Sequence, residues 1–151
     1  MAVELDKLSD IDVPDGLEIK LVEDSETLRL WSKAVATGYG FPQLVDELYA
    51  VESHESLWLP HRRRYVGFHD GIPVCGSCVL DDLGVAGIYE VATVPEARRR
   101  GFGTAITLAP LKASSELGVK VGVLHSSPYG YGVYKRIGFH DIGKHSEYSL
   151  P

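Results

Sequence analysis

The stretch Val91-Ala-Thr-Val-Pro-Glu-Ala-Arg-Arg-Arg-Gly-Phe-Gly-Thr-Ala105 joins an apolar, strand-like run to a glycine-punctuated helix start carrying three arginines. The first turn of a helix offers N–H groups without intrahelical partners, and the summed peptide dipoles place roughly half a positive charge there. Gly101 and Gly103 present no Cβ, so a ligand can approach their backbone closely. Arg98, Arg99 and Arg100 add guanidinium forks suited to phosphate oxygens. The chemistry this predicts is the holding of a phosphate or pyrophosphate. Two familiar phosphate motifs do not fit. A dinucleotide fingerprint would need glycine where Ile106 stands, and a P-loop would need a lysine after one of the glycines.

Other chemistry-bearing residues are dispersed. Glu90 interrupts the apolar run Ile88-Tyr-Glu-Val-Ala92, where alternation puts it on the face of Ile88 and Ala92. His125 follows a strand-like Val119–Leu124, with Ser126 and Ser127 as polar neighbours. Cys75 and Cys78 have Cys-x-x-Cys spacing, yet no second pair exists to complete a zinc site. They read as reduced strand residues on opposite faces, with Gly76 marking a bulge. His54, His61, His69, His140 and His145 show no paired ligand spacing, so no metal is expected. Arg62-Arg63-Arg64 reads as a solvated strand entrance.

The elements that must position these groups follow from periodicity. Residues 1–16 read as a loose polar leader, and residues 17–151 as a single domain. Leu17–Val22 alternates as a strand, and Asp24 or Ser25 caps a helix with Leu28, Trp31 and Val35 on one face. Pro42 opens a second helix with Leu44, Leu48 and Val51 spaced for burial. Three short apolar runs separated by His69-Asp70-Gly71 and Asp81-Asp82-Leu83-Gly84 predict an antiparallel meander. A helix from Phe102 to Leu117 follows, with Pro110 predicted to kink it. A strand near Val119, a short helix ending at Ile137 and two short strands within 140–150 complete the chain. Net charge is −6, which argues against a nucleic-acid partner, and no apolar run reaches membrane-span length. A cytoplasmic protein is expected.

The loop Arg98-x-x-Gly101-x-Gly103 resembles the acyl-coenzyme A pyrophosphate loop of the GNAT superfamily of N-acetyltransferases. The later Tyr134-x-x-x-Gly138-Phe139 is similar to that superfamily's usual ending of the helix after the fifth strand. The resemblance implies an α/β (α+β) fold with a mixed, mostly antiparallel sheet, splayed fourth and fifth strands and flanking helices. It further implies acetyl-CoA as cosubstrate and direct attack by a primary amine, with a small-molecule acceptor expected from the family's breadth. Ala92, Thr93 and Val94 would then lie along the pantetheine, and Arg98, Arg99, Arg100, Gly101, Phe102, Gly103 and Thr104 around the pyrophosphate. Ser127, Tyr131 and Tyr134 would also meet the cofactor. Tyr134 is the implied acid, and Glu90 or His125 the base. A homodimer accords with the family's habits. The competing reading is a non-catalytic acyl-CoA-binding sensor or interaction module. A generic nucleotide-phosphate binder is a third.

Overall fold

The computed structural model describes residues 1–55, 61–144 and 146. A strand β1 (Ala2–Glu4) comes first, followed by β2 (Leu17–Leu21), α1 (Ser25–Gly38) and α2 (Val45–Glu55). The meander β3 (Arg62–His69), β4 (Ile72–Asp82) and β5 (Val85–Thr93) leads into α3 (Phe102–Glu116), β6 (Val121–Leu124) and α4 (Tyr131–Arg136). The strands form one sheet in the order β1-β6-β5-β4-β3-β2. Every pairing is antiparallel except β5 with β6.

Local chemistry explains the boundaries. Asp24 caps α1 by accepting the Thr27 amide at 2.7 Å, while the Thr27 hydroxyl accepts the Asp24 amide. The two hairpin turns put Asp70 and Gly71, then Leu83 and Gly84, at positive φ, the geometry that matches strand twist in two-residue turns. α1 packs over one face of the sheet, where Leu28, Trp31, Val35, Val66, Phe68, Cys78 and Ala92 form a core. α3 packs over the other face, burying Ile106, Leu111, Val79, Ile88, Ile137 and Phe139 among others. Cys75 and Cys78 point into these two different cores as unpaired thiols, as their spacing predicted.

Three expectations need correction. The supposed loose leader begins with β1, which pairs with β6 and buries Val3 and Leu5 in the α3-side core. Its acidic residues masked that short apolar segment. In α2, Leu44 just before the helix and Val51 within it are exposed, and the buried residue is Glu52, at 2% exposure. Arg62 and Arg64 are not a solvated entrance: both point into an ion-paired interior cluster. Of the two strands expected within 140–150, His140 makes an isolated bridge to Ala2. Positions 145 and 147–151 lie outside the described residues.

Pro110 sits inside a continuous α3. A proline there leaves the carbonyl four residues earlier, on Ile106, without its helical donor. The Ser77 hydroxyl on β4 donates to that carbonyl at 2.6 Å. Ser77 also accepts the Trp31 indole N–H on its own carbonyl at 3.0 Å, so one strand residue fastens α1 and α3 to opposite faces of the sheet.

Candidate active site

β5 and β6 pair only from Val85↔Val121 to Ile88↔Leu124. Beyond Ile88, β5 continues to Thr93 with, among the described residues, β4 alone as its partner. The sheet therefore opens at its middle. Where the opening starts, Glu90 and Val91 both stand opposite Ser77, because the register moves from Cys78↔Tyr89 to Gly76↔Ala92. The extra residue is on β5 and not at Gly76, and Glu90 takes a left-handed φ of 55°. This bulge cancels strict alternation: Ile88 lies in the α3-side core and Ala92 in the α1-side core. Glu90 shares a face with Ala92 but not with Ile88. A non-glycine residue held at positive φ costs on the order of 1–3 kcal/mol and often marks a functional site.

The glycine-rich loop follows directly. After a tight turn at Pro95–Ala97, Arg99 has φ 63° and Gly101 φ 83°, and α3 starts at Phe102. The amides of Arg98 and Ala105 donate to Pro95 and Gly101. Among the described residues, no amide from Arg99 to Thr104 donates to a backbone carbonyl. Successive unpartnered N–H groups of this kind make an anion-binding concavity at a positive helix end. A Cβ on Gly103 would come 3.5 Å from the Thr93 hydroxyl, an ordinary contact, so its backbone is open without being forced to be glycine. Gly101 differs: its positive φ and a 3.0 Å approach to Pro14 require glycine for the fold itself.

The three arginines separate by role. Arg98 donates through Nε to the Thr93 carbonyl at 3.1 Å and through Nη2 to the Gly38 carbonyl at 2.9 Å, so it braces the end of α1 against β5. Arg100 meets His69 Nε2 at 2.6 Å and lies 4.8 Å from the centre of the Phe102 ring. Phe102 is itself buried, leaving only its backbone to the loop. Arg99 is exposed. Ala92 is buried beneath α1, and the Val94 amide is taken by the Val74 carbonyl at 2.9 Å. Thr104 is half-buried in the first turn of α3.

At the bulge, Glu90 Oε1 accepts from Arg62 Nη2 at 2.7 Å, and Glu90 Oε2 is buried with no hydrogen-bond partner among the described residues. Arg62 Nη2 also reaches Glu52 Oε1 at 3.1 Å, and its Nε lies 3.0 Å from Cys78 Sγ. Arg64 Nε donates to the other Glu52 oxygen, with its guanidinium 5.8 Å from the centre of the Trp31 ring. Burial opposes the Arg62 charge, but Cys78, Glu90 and Glu52 around it hold its pKa above the usual guanidinium value. Burial and the neighbouring Glu90 charge raise Glu52, against the pull of Arg62 and Arg64.

Tyr134 is buried on α4, edge-on to Phe139 at 6.0 Å between ring centres. Burial, aided by Tyr39, pushes its hydroxyl up to about 12. Tyr39 closes α1 immediately after Gly38, and its own pKa is raised first by desolvation and then by Glu90. It therefore stands within electrostatic reach of both Glu90 and Tyr134. Gly38 makes that placement possible, because a Cβ there would come 2.8 Å from Ala92 Cβ and 3.0 Å from the Thr93 amide nitrogen. His125 is exposed and lines a cavity of about 440 Å³ with Met1, Tyr89, Val123, Ile142 and Lys144. Ser127 accepts the Gly130 amide on its hydroxyl at 3.2 Å and caps the approach to α4. The Tyr131 hydroxyl donates to Asp141 at 2.8 Å. Among the described residues, no cluster of His, Cys, Asp and Glu could hold a metal ion. Likewise, no described helix is long and apolar enough to cross a membrane.

Sequence reasoning missed Tyr39, Glu52 and Arg62. The available signal was Glu52 itself, four residues after Leu48 and thus on the buried side of α2, with three arginines nearby in sequence to neutralise it.

An open-centred sheet with an anion-accepting helix start between β5 and α3 is the GNAT fold, and solved structures bear this out. A GCN5-related N-acetyltransferase from Kribbella flavida superposes with a TM-score of 0.69 at 22% identity, covering 92% of this chain and 52% of its own, so the chain spans about half that protein's length. A Trypanosoma brucei acetyltransferase gives 0.72 at 20% identity, covering 89% and 99%. The aminoglycoside N-acetyltransferase AAC(6')-Iy, bound to the bisubstrate analogue CoA-S-monomethyl-acetylneamine, gives 0.73 at 16% identity, covering 89% and 98%. Residues 81–142 match the family model of the acetyltransferase (GNAT) domain. No curated protein matches the chain. The match to the GNAT domain thus covers residues 81–142, and the fold of the chain is that of these acetyltransferases.

Proposed function

We propose that this protein is an acetyl-CoA-dependent N-acetyltransferase acting on a primary amine by direct attack. The observation that carries the reading is the run of unpartnered amides from Arg99 to Thr104, next to the open edge of β5 and the unpartnered Glu90 oxygen. Those amides fit a pyrophosphate, and the β5 backbone beyond Ile88 fits an extended amide-bearing arm. Acetyl-CoA supplies the acyl group as a thioester. Glu90 Oε2 takes a proton from the attacking nitrogen, directly or through one water. Nitrogen bonds to the acyl carbon, the carbon–sulfur bond breaks, and the sulfur leaves with the electron pair. Tyr134 remains a neutral hydroxyl throughout the physiological range and donates a hydrogen bond to the leaving sulfur. Complete proton transfer from so weak an acid is uphill, so its contribution is stabilisation of the developing thiolate.

Glu90 is preferred to His125 as base because it sits at the bulge with a buried free oxygen, whereas His125 is exposed. A small-molecule acceptor accords with the acetylneamine analogue held by AAC(6')-Iy. The two buried, unpaired thiols fit a reducing, cytoplasmic setting.

Acetyl-CoA turnover across an amine panel tests the reading. Turnover is expected with at least one amine, and Glu90→Gln should lower kcat/KM by about 100-fold or more while leaving CoA affinity intact. CoA binding without turnover on any amine would favour the sensor module, and tighter binding of ATP than of CoA would favour a generic nucleotide site.

A further inference from the structure

We propose that the cavity of about 440 Å³ beside the split in the sheet receives the amine acceptor, and that this acceptor has an apolar body and a single carboxylate. The proposal rests on the N-acetyltransferase reading and names its substrate class. The last β5–β6 pair is Ile88↔Leu124. Tyr89 and His125 are therefore the first residues past the vertex of the split on either strand, and both line the cavity. Ile88 and Leu124 point into the α3-side core, so alternation turns Tyr89 and Val123 to the opposite face. A Cβ on Gly122 would meet Leu111, Leu5 and Val3 of the α3-side core, which fixes the same phase along β6. On that opposite face α1 packs over β3, β4 and β5, and the cavity lies on the β6 side. Glu90 follows Tyr89 on the same face, since the bulge leaves it with Ala92. The anion-binding loop lies past the Thr93 end of β5 and the cavity at the vertex, with Glu90 between the two along the strand.

The walls decide the class. A Cβ on Gly87 would come 2.8 Å from the Tyr89 ring and 2.9 Å from its hydroxyl, so glycine there lets the ring fold back along β5. Tyr89 is 51% exposed and Ile142 65%, and with Met1 and Val123 they give the cavity a mainly apolar lining. Such a surface takes an aromatic or aliphatic body by removing it from water, and a cavity of this size suits a small molecule. Among the described residues that line it, none is acidic. The nearby Asp141 accepts the Tyr131 hydroxyl at 2.8 Å and faces Lys135 at 3.8 Å. Lys144 lines the cavity and, among the described residues, has no ion pair or hydrogen bond. A polycationic acceptor would meet a like charge there and no compensating carboxylate, whereas an anionic group would meet its counter-charge. An acceptor with its amine towards Glu90 and its carboxylate towards Lys144 matches the sign at both ends.

Three primary amines separate the classes: para-(aminomethyl)benzoate, benzylamine, which lacks only the carboxylate, and the polycationic neamine. With acetyl-CoA, kcat/KM for para-(aminomethyl)benzoate should exceed that for benzylamine by about fivefold and that for neamine by about 100-fold. Lys144→Glu should bring the first ratio to one or below. Val123→Trp, which fills the cavity, should raise KM for both benzyl compounds about tenfold, with CoA affinity measured by calorimetry as the folding control. If the tryptophan variant does not fold, the Lys144 ratio still decides. A preference for neamine, turnover of other amines but of neither benzyl compound, a wild-type ratio of one, or a ratio unmoved by Lys144→Glu overturns the inference while the acetyltransferase reading stands. A folded Val123→Trp with wild-type KM does the same. CoA binding without turnover of any amine removes that reading, and the inference falls with it.

Discussion

Glu90 combines three properties that a solvated strand glutamate lacks: a left-handed backbone, one oxygen fixed by Arg62, and one buried oxygen without a partner. Strict alternation places Glu90 with both Ile88 and Ala92, and the structure keeps it with Ala92 alone. Alternation is a property of regular strands, and nothing in Tyr89-Glu90-Val91 announces an inserted residue. Tyr134 was legible through its place in Tyr-x-x-x-Gly-Phe. Its buried setting was not, because burial depends on Phe139 and α3 packing around it. With its hydroxyl pushed up to about 12, Tyr134 is protonated over the working range. Tyr134→Phe should therefore reduce kcat by roughly 10- to 100-fold without shifting either limb of the pH profile below about pH 10. A new basic limb near neutrality in the wild type that vanishes in Tyr134→Phe would contradict this role.

At the scale of elements, the cradle depends on where α3 begins and on what fastens it. The loop's position and the starting residue of α3 were readable from glycine and arginine spacing. The division of labour among the arginines was not, since Arg98 turns back to the Thr93 and Gly38 carbonyls through contacts 5 and 60 residues away in the chain. Gly103→Val should weaken CoA binding by tenfold or more, measured by calorimetry, with little change in melting temperature, because the site has room and an ordinary helical φ. Gly101→Val is unsuitable for the comparison, as strain at φ 83° would destabilise the fold first. Pro110 was expected to kink α3, but Ser77 supplies the donor that proline removes. Ser77→Ala leaves the buried Ile106 carbonyl unmatched and should cost about 1–3 kcal/mol in chemical denaturation. A loss below about 0.3 kcal/mol would show that the Ile106 carbonyl finds another donor.

For the whole molecule, two cores on opposite faces of an opened sheet hold the groups of the site in register. The order of helices and strands from Leu17 to Ile137 was legible because each element carries its own periodicity and turn residues. The β1–β6 pairing was not, since a three-residue edge strand carries almost no pattern and its partner lies more than a hundred residues away. The same burial that builds the cores predicts alkaline sensitivity. Cys75 is raised from 9.0 to about 12, Cys78 from 9.0 to about 11, and Tyr134 from 10.0 to about 12. Each is neutral when protonated, so the unfolded chain loses these protons first. Their stabilising contribution is complete below the unfolded pKa, near pH 9 for the thiols, and disappears as pH rises to the folded values. Stability should thus fall above about pH 9, by up to roughly 1.4 kcal/mol per pH unit for each group titrating only in the unfolded state. Denaturation midpoints between pH 8 and 11 check this, and Cys75→Ala should flatten the slope.

On this reading, the amides opening α3 grip the diphosphate of the acyl carrier. Titration of isotope-labelled protein with CoA, followed amide by amide, tests it most directly. The largest shift changes are expected at Arg99 to Thr104, with a second group along Tyr89 to Thr93. Saturating CoA that leaves the Arg99–Thr104 amides unmoved while others shift would contradict the account.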